Sequence, residues 1–454
     1  MASSVSIMRK KTLGSIKEVE AGKFCNLSVL DRVMEPFSLR VVLYYQFPAN
    51  TDFAKLKKKF GISISYTLSA FTIVVGRLRP NPTPSEGHWH IKCNDAGVRT
   101  IEAKANCSLK EWLMSVTREK ELELIFWDEM PNNPHLWSTF YVQLTEFEEG
   151  GFAVGLSCAH LLADATTATM FLKAWADSHL LRKMQTPPLF HPLPPRKLCT
   201  SNTENHELHS DLINHYKSSI ESISNPITTS KGEEYSTITF AFSDEMVRKC
   251  IFEASSNSLP FAALAALFWV CISKVKGRKD GLINMCVCLD MRNVLGLRKE
   301  FFGNCMVFNK VSGDIGVVEK ESGLANAARA IQNVVGEMEE KERIMDLIEW
   351  LGKNTGTHRI LQPINGSDIV CANWDNLDPY SAEFESGFKP VRASYHLGPV
   401  FGEGQLLILP SPKGSEKEGS MGRVVMVTLP KDEAAKLIEE SIILNLSPNI
   451  LMKS

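Results

Sequence analysis

YVQLTEFEEGGFAVGLSCAHLLAD, residues 141–164, carries the reading on which the fold turns. Tyr141 to Phe147 and Phe152 to Cys158 are rich in β-branched and aromatic residues and read as two strands. Glu148-Glu149-Gly150-Gly151 between them is a hairpin signal. The second strand runs directly into Ala159–Asp164. Thr166 to Leu180 then has helical character, with Met170, Leu172, Trp175 and Ala176 apolar. Hairpin, loop and helix in succession predict a sheet covered by helices.

Upstream, Val41 to Phe47 reads as a strand, and Asn50-Thr51-Asp52 supplies capping chemistry for a helix. Phe53, Leu56, Phe60, Ile64 and Leu68 fall at helical spacing, with Gly61 a weak point. His88 to Cys93 and Val98 to Ala103 predict strands around the turn Asn94–Gly97. Downstream, five prolines fall between Pro187 and Pro195, and a polar stretch continues to about Lys231. That composition suits an exposed crossover between domains. The division expected is therefore 1–185, a linker over 186–231, and 232–454. The second half begins with the strand-like YSTITFAFS from Tyr235. Ser258-Leu259-Pro260 opens a helix running to about Lys274, and Leu282 to Leu289 is an apolar strand ending at Asp290. Strands follow near Gln405–Leu409 and Arg423–Leu429, with 411–421 a polar loop. A last helix is predicted from Pro430 to about Leu444. Both halves mix strands and helices, so the class is α/β.

The 454 residues exceed what one core usually supports, which favours two domains. Apolar residues are 44%, charged residues 22% and aromatic residues 9%, a globular composition that excludes a largely disordered chain. Lys and Arg total 50 against 52 Asp and Glu. With no basic excess to release counterions, a nucleic-acid partner is not expected. The longest nearly apolar run, Leu259–Ile272, is too short to span a bilayer, so no membrane span is expected. The N-terminus is Ser-rich and basic but has no apolar segment of a secretory signal, and Glu18 and Glu20 follow. The expected location is the cytoplasm. Eleven scattered cysteines without a C-x-x-C pair suit reduced, mostly buried thiols, and no metal is expected.

His160 and Asp164 are the chemical candidates. A strand delivers His160 to the point where the chain turns, and an imidazole can take and return a proton near neutrality. H-x-x-x-D by itself occurs by chance about half a time in such a chain. Taken alone, the pair is better explained as a buried histidine beside an Asp helix cap. No G-x-S-x-G, G-x-G-x-x-G, P-loop or H-E-x-x-H string is present. Tyr44, Tyr45 and Trp374 suit either a core or an acceptor wall.

Several blocks in order resemble the plant BAHD acyl-CoA-dependent acyltransferases. They are Leu27-Ser28-Val29-Leu30-Asp31, Leu43-Tyr44-Tyr45, Gly76-Arg77-Leu78, Cys93-Asn94 with Gly97-Val98, His160–Asp164, Asp290-Met291-Arg292 and Phe302-Gly303-Asn304. The resemblance implies two chloramphenicol-acetyltransferase-like domains, each a mixed β-sheet with flanking helices, joined by a long crossover loop. It implies acyl-CoA as co-substrate, with no permanently bound cofactor, and a small-molecule acceptor entering a channel from the opposite face. His160 would be the general base, midway along that channel. Asp164 would support the motif loop by pairing with Arg292, which residue type alone would leave as a surface arginine. Ser255, Ser256 and Ser258 offer hydroxyls to coenzyme phosphates, or simply cap the helix that follows.

Two departures stand out. Ala165 replaces the glycine the family writes after the motif. Glu383–Pro390 (EFESGFKP) keeps only Phe384, a Gly and Lys389-Pro390 of the D-F-G-W-G-K-P signature. The departures resemble two branches, one linked to brassinosteroid inactivation and one containing the eceriferum-type wax proteins. The first implies a monomeric enzyme acylating a steroid hormone or specialised metabolite. The second implies a non-catalytic partner of a fatty acid elongase condensing enzyme.

Overall fold

The computed structural model describes residues 4–17, 20, 22–83, 87–196, 210–221, 234–254, 257–278, 281–311, 323–354, 368–400, 402–412 and 420–453. Much of the crossover, most of the 411–421 loop, Ser255 and Ser256 lie outside the described residues. In chain order the strands are β1 (Val5–Leu13), β2 (Phe24–Asn26), β3 (Ser38–Gln46), β4 (Arg77–Pro80), β5 (Trp89–Lys92), β6 (Val98–Ser108), β7 (Phe140–Glu148), β8 (Gly151–Ala159), β9 (Tyr235–Phe242), β10 (Asn284–Asp290), β11 (Met306–Val311), β12 (Asp368–Asn373), β13 (Arg392–Gly398), β14 (Gly404–Pro410), β15 (Arg423–Pro430) and β16 (Asn449–Met452).

They form two large mixed sheets. The first has the order β1-β6-β7-β8-β3-β13, the second β11-β10-β12-β14-β15-β9-β16, and β2-β5-β4 make a small third sheet. The β6–β7 pair is parallel, as are β10–β12 and β12–β14. The decisive hairpin closes as expected. Its two loop residues, Glu149 and Gly150, both have positive φ, at 56° and 85°. That matches the right-handed twist of the strands it joins. A side chain at Gly150 would collide with the Phe47 carbonyl oxygen.

Helices cover these sheets. Phe53–Leu68 runs unbroken through Gly61, and Ala165–Leu181 lies beside it. In the second half Pro260–Val275 is buried at every residue from Phe261 to Ser273. A helix apolar on all sides belongs at the centre of a domain, and this one packs between Asp244–Ala254 and Gly323–Met338.

Four expectations are corrected. Arg392–Gly398, within the segment assigned to the second domain, pairs with β3 of the first sheet, from Arg392 opposite Tyr44 to Gly398 opposite Ser38. Left as an edge, the apolar β3 would present unpaired backbone groups. The crossover is not wholly exposed: Ser210–Glu221 is a helix that buries Leu212 and Tyr216, and the Phe308 N–H donates to the Tyr216 hydroxyl at 3.0 Å. The last helix is two, Lys431–Leu437 and Ser441–Leu446, and β16 follows. Glu439 and Glu440 sit between them, where a second helix N-terminus suits acidic side chains better than continuation of the first. Leu259, not Ser258, caps the helix at Pro260, and no side chain bonds the cap.

Candidate active site

The chain places His160 immediately after β8, where its N–H donates to the Phe37 carbonyl at 3.0 Å. The imidazole is 3% exposed, and the Phe37 ring stands edge-on to it at 6.3 Å. Its Nδ1 lies 3.0 Å from Asn304 Oδ1. The Asn304 amide nitrogen donates to the His160 carbonyl at 2.8 Å and to Asp31 Oδ1 at 2.8 Å. A backbone carbonyl can only accept, so the amide group is fixed with its oxygen toward the ring. Nδ1 therefore carries the proton, and the Nε2 lone pair is free to accept one. Burial pushes the His160 pKa below its ordinary 6.5, against the opposing pull of Asp164 and Asn304. The ring is thus held neutral, in the tautomer a general base needs.

Asp31 anchors this arrangement. Its Oδ1 also accepts the Asn304 backbone N–H at 2.8 Å, while Oδ2 accepts the Ser28 N–H at 2.7 Å. Ser28 Oγ accepts the Asp31 N–H in return, completing a capping box on Val29–Val33. Burial raises the Asp31 pKa, and the donors from Asn304 and Ser28 oppose the shift. Asp31 and Asn304 sit within family-like blocks, but their place in those blocks assigned neither a role. The Ser28-x-x-Asp31 spacing is that of a capping box and was available as a signal, but nothing in the spacing announces the reach from Asp31 across to Asn304.

Asp164 turns to different partners. Arg292 grips it bidentately, Nη1 to Oδ2 at 2.8 Å and Nη2 to Oδ1 at 3.0 Å. The Thr167 N–H donates to Oδ1 at 2.8 Å, capping the Ala165–Leu181 helix, and the Cys305 N–H donates to Oδ2 at 3.0 Å. Burial opposes the charge on Asp164, but Arg292 and these donors outweigh it and hold the carboxyl below its ordinary value. Arg292 is buried rather than a solvated surface residue. It also donates to Asp290 Oδ2 at 2.7 Å and to the Gly303 carbonyl at 2.7 Å. The motif loop of the first half is thereby bolted to the 290–305 segment of the second.

Ser258 is buried before its helix. Tyr44, Tyr45 and Trp374 are core residues; the Tyr45 hydroxyl donates to the Ala382 carbonyl at 2.8 Å. Phe384, the residue the degenerate signature retains, is fully buried against Phe60 and Trp175 at ring distances of 4.8 Å each. Trp175 lies about 15 Å along the helix from Ala165 at 1.5 Å per residue. The segment thus acts on packing, away from the imidazole.

Two cavities border the motif. One, of about 560 Å³, is lined by Cys25, Ser28, Asp31, Leu162, Phe302 and Gly303 among others. A second, of about 210 Å³, is lined by Phe37, Ala159, Leu161 and Pro399 among others. The imidazole belongs to neither wall, although its chain neighbours on both sides do. Among the described residues, no group of three or more His, Cys, Asp or Glu side chains could hold a metal ion. No helix among them is long and apolar enough to cross a membrane.

Fold and site together define an acyltransferase-like scaffold in which two halves meet at one histidine. The Transferase family model matches residues 3–442, and the chain belongs to that family, the BAHD acyltransferases of EC class 2.3.1. It is similar to "Protein ECERIFERUM 2" of Arabidopsis thaliana, 24% identical over 458 residues, covering 96% of this chain and 98% of the relative. It is 25% identical over 329 residues to the "Fatty alcohol:caffeoyl-CoA acyltransferase" of the same plant, covering 68% of this chain and 72% of that one. The crystal structure of vinorine synthase shares the fold, with a TM-score of 0.71 at 17% identity over 98% of this chain and 99% of that one.

Proposed function

We propose that the chain transfers an acyl group from acyl-CoA to a hydroxyl (or amine) of a plant small molecule, a steroid hormone or specialised metabolite, with His160 as the general base. The observation carrying this reading is the Nδ1–H to Asn304 contact at 3.0 Å, which leaves Nε2 as the acceptor. Nε2 takes the acceptor's proton as its oxygen or nitrogen attacks the thioester carbonyl. The tetrahedral oxyanion collapses, the C–S bond breaks, and the CoA thiolate leaves with the proton returned from Nε2. A positioned base contributes about 10²–10⁴-fold. Asp164 and Arg292 support the loop and take no proton. The ring's 3% exposure requires side-chain or loop movement from the bordering cavities before both substrates reach it. In this reading the enzyme acts as a cytoplasmic monomer, and Ser255, Ser256 and Ser258 stand as candidates for coenzyme contact.

Similarity to ECERIFERUM 2, Ala165 and the degenerate 383–390 segment favour a second reading: a non-catalytic partner of the condensing enzyme in very-long-chain fatty acid elongation. One experiment separates the two. Purified protein is screened with acetyl, malonyl, aromatic and long-chain acyl-CoAs and alcohol or amine acceptors, read as free thiol, with His160→Ala alongside. Acceptor-dependent thiol release abolished by His160→Ala supports the enzyme. Release untouched by the substitution overturns the base. No release, with co-purification of a condensing enzyme and full complementation by His160→Ala in plants, supports the partner.

A further inference from the structure

The cavity of about 560 Å³ has a thiol in its wall, Cys25 of β2, and that thiol has a neighbour. Cys25 is opposite Ile91 in the β2–β5 ladder, and the Cys93 N–H donates to the Lys23 carbonyl at 2.9 Å. Cys93 is thus displaced two positions from direct opposition to Cys25, which puts both side chains on the same face. Their sulfurs are 3.7 Å apart. A disulfide spans about 2.05 Å, so closure needs the sulfurs to approach by about 1.6 Å. The movement falls on β2, an edge strand of three residues, while β5 is held between β2 and β4; the pair sits at the end of the β2–β5 ladder.

We propose that Cys25 and Cys93 are a disulfide-forming pair in the cavity region, closed by a low-molecular-weight disulfide such as oxidised glutathione. Cys25, partly exposed and lining the cavity, is the attacking thiol, and the buried Cys93 resolves. The hydrogen bond from Cys93, then the nearby Lys23 charge, outweigh burial and lower the Cys25 pKa to about 7, while Cys93 is pushed up. The Cys25 thiolate attacks one sulfur of the glutathione disulfide and forms a mixed disulfide; the first glutathione leaves as thiolate and takes up a proton. Cys93 then loses its proton and attacks the Cys25 sulfur, breaking the mixed bond and releasing the second glutathione. Two protein thiols are oxidised and one glutathione disulfide is reduced to two thiols. Two residues after Cys25 the chain reaches Leu27 and then the Ser28–Asp31 capping box, so the moved strand leads directly to the anchor of Asn304.

The test uses the full chain, reduced, then incubated at graded ratios of reduced to oxidised glutathione, quenched with a maleimide and mapped by mass spectrometry. The expected product is a Cys25–Cys93 linked peptide, two hydrogens lighter than the reduced pair. Cys25→Ser abolishes it, and Cys93→Ser traps glutathione on Cys25. Under reducing conditions at pH 7, Cys25 should alkylate about tenfold faster than an unperturbed thiol with a pKa near 8.5. A persistent glutathione adduct on Cys25 in the wild type overturns the proposal, as does a linkage to another cysteine. So does a pair that stays fully alkylable at oxidising ratios. If Cys93→Ser does not fold, the wild-type map and Cys25→Ser decide.

Discussion

Replacing Asp164 with Asn keeps the shape of the side chain and removes its charge. In the structure that carboxylate is fully buried and accepts from Arg292 twice, from the Thr167 N–H and from the Cys305 N–H. An amide has one acceptor oxygen, so its NH₂ must face at least one of these donors. Breaking a buried pair from one side costs about 3–5 kcal/mol. Arg292 keeps Asp290 at 2.7 Å, which places the expected loss at the lower end, about 3 kcal/mol. That is about two orders of magnitude in the folded-to-unfolded ratio. The assay is urea unfolding followed by tryptophan fluorescence for the wild type, Asp164→Asn, Arg292→Ala and the double variant. Coupling between the two sites should be about 1–3 kcal/mol. The pH dependence carries a sign. The folded pKa of Asp164 lies below its ordinary value of 3.8. Its contribution is therefore complete above that value and is lost as pH falls through the lower folded pKa. Asp290, raised chiefly by burial and further by the Asp164 charge, runs the other way; Asp164→Asn removes that repulsion and lowers the Asp290 pKa, so the difference between the two proteins reports Asp164 together with this response. An unchanged urea midpoint in Asp164→Asn, or strictly additive losses in the double variant, refutes the bolt between the halves.

Three other expectations follow from the same geometry. If thiol release is found, its kcat/KM should stay level as pH is lowered to 6.5 and decline only below that value, because burial lowers the His160 pKa; an acid limb centred above 6.5 contradicts this. Asn304→Ala frees the imidazole to take either tautomer and should reduce kcat about 10²-fold with an unchanged circular dichroism spectrum, measured by steady-state thiol release. Phe384→Ala empties a site enclosed by Tyr45, Phe60 and Trp175 and should cost about 3–5 kcal/mol by denaturant unfolding, while the activity remaining per folded molecule stays near wild type.

Much of the fold was legible because it rests on local chemistry. The 141–164 hairpin declared itself by alternating apolar strands around Glu149-Gly150, and the helices at Phe53 and Pro260 by apolar spacing and helix-start residues. Other elements were not legible. Helix Ser210–Glu221 lies in a polar run and is stabilised by burying Leu212 and Tyr216 against distant chain. Strands β12 and β13 pair in sheets whose other strands lie far away in sequence, so no local period announces their partners. At the site, His160, Asp164 and Arg292 were named from the motif blocks. Asp31 and Asn304 stood in those blocks without a task, because a hydrogen bond spanning 273 positions leaves no trace in spacing.

Local pattern by itself determined an α/β chain with a histidine at a strand end, since those properties depend on neighbours along the chain, and the ordered motif blocks carried the resemblance to the acyltransferases. The tertiary structure alone decided which ring nitrogen is free, that Arg292 is buried, that β13 joins the first sheet, and that Cys25 meets Cys93. Each of these depends on groups brought together across long sequence separations, where donor direction, desolvation and a few ångströms fix the chemistry and residue identity does not.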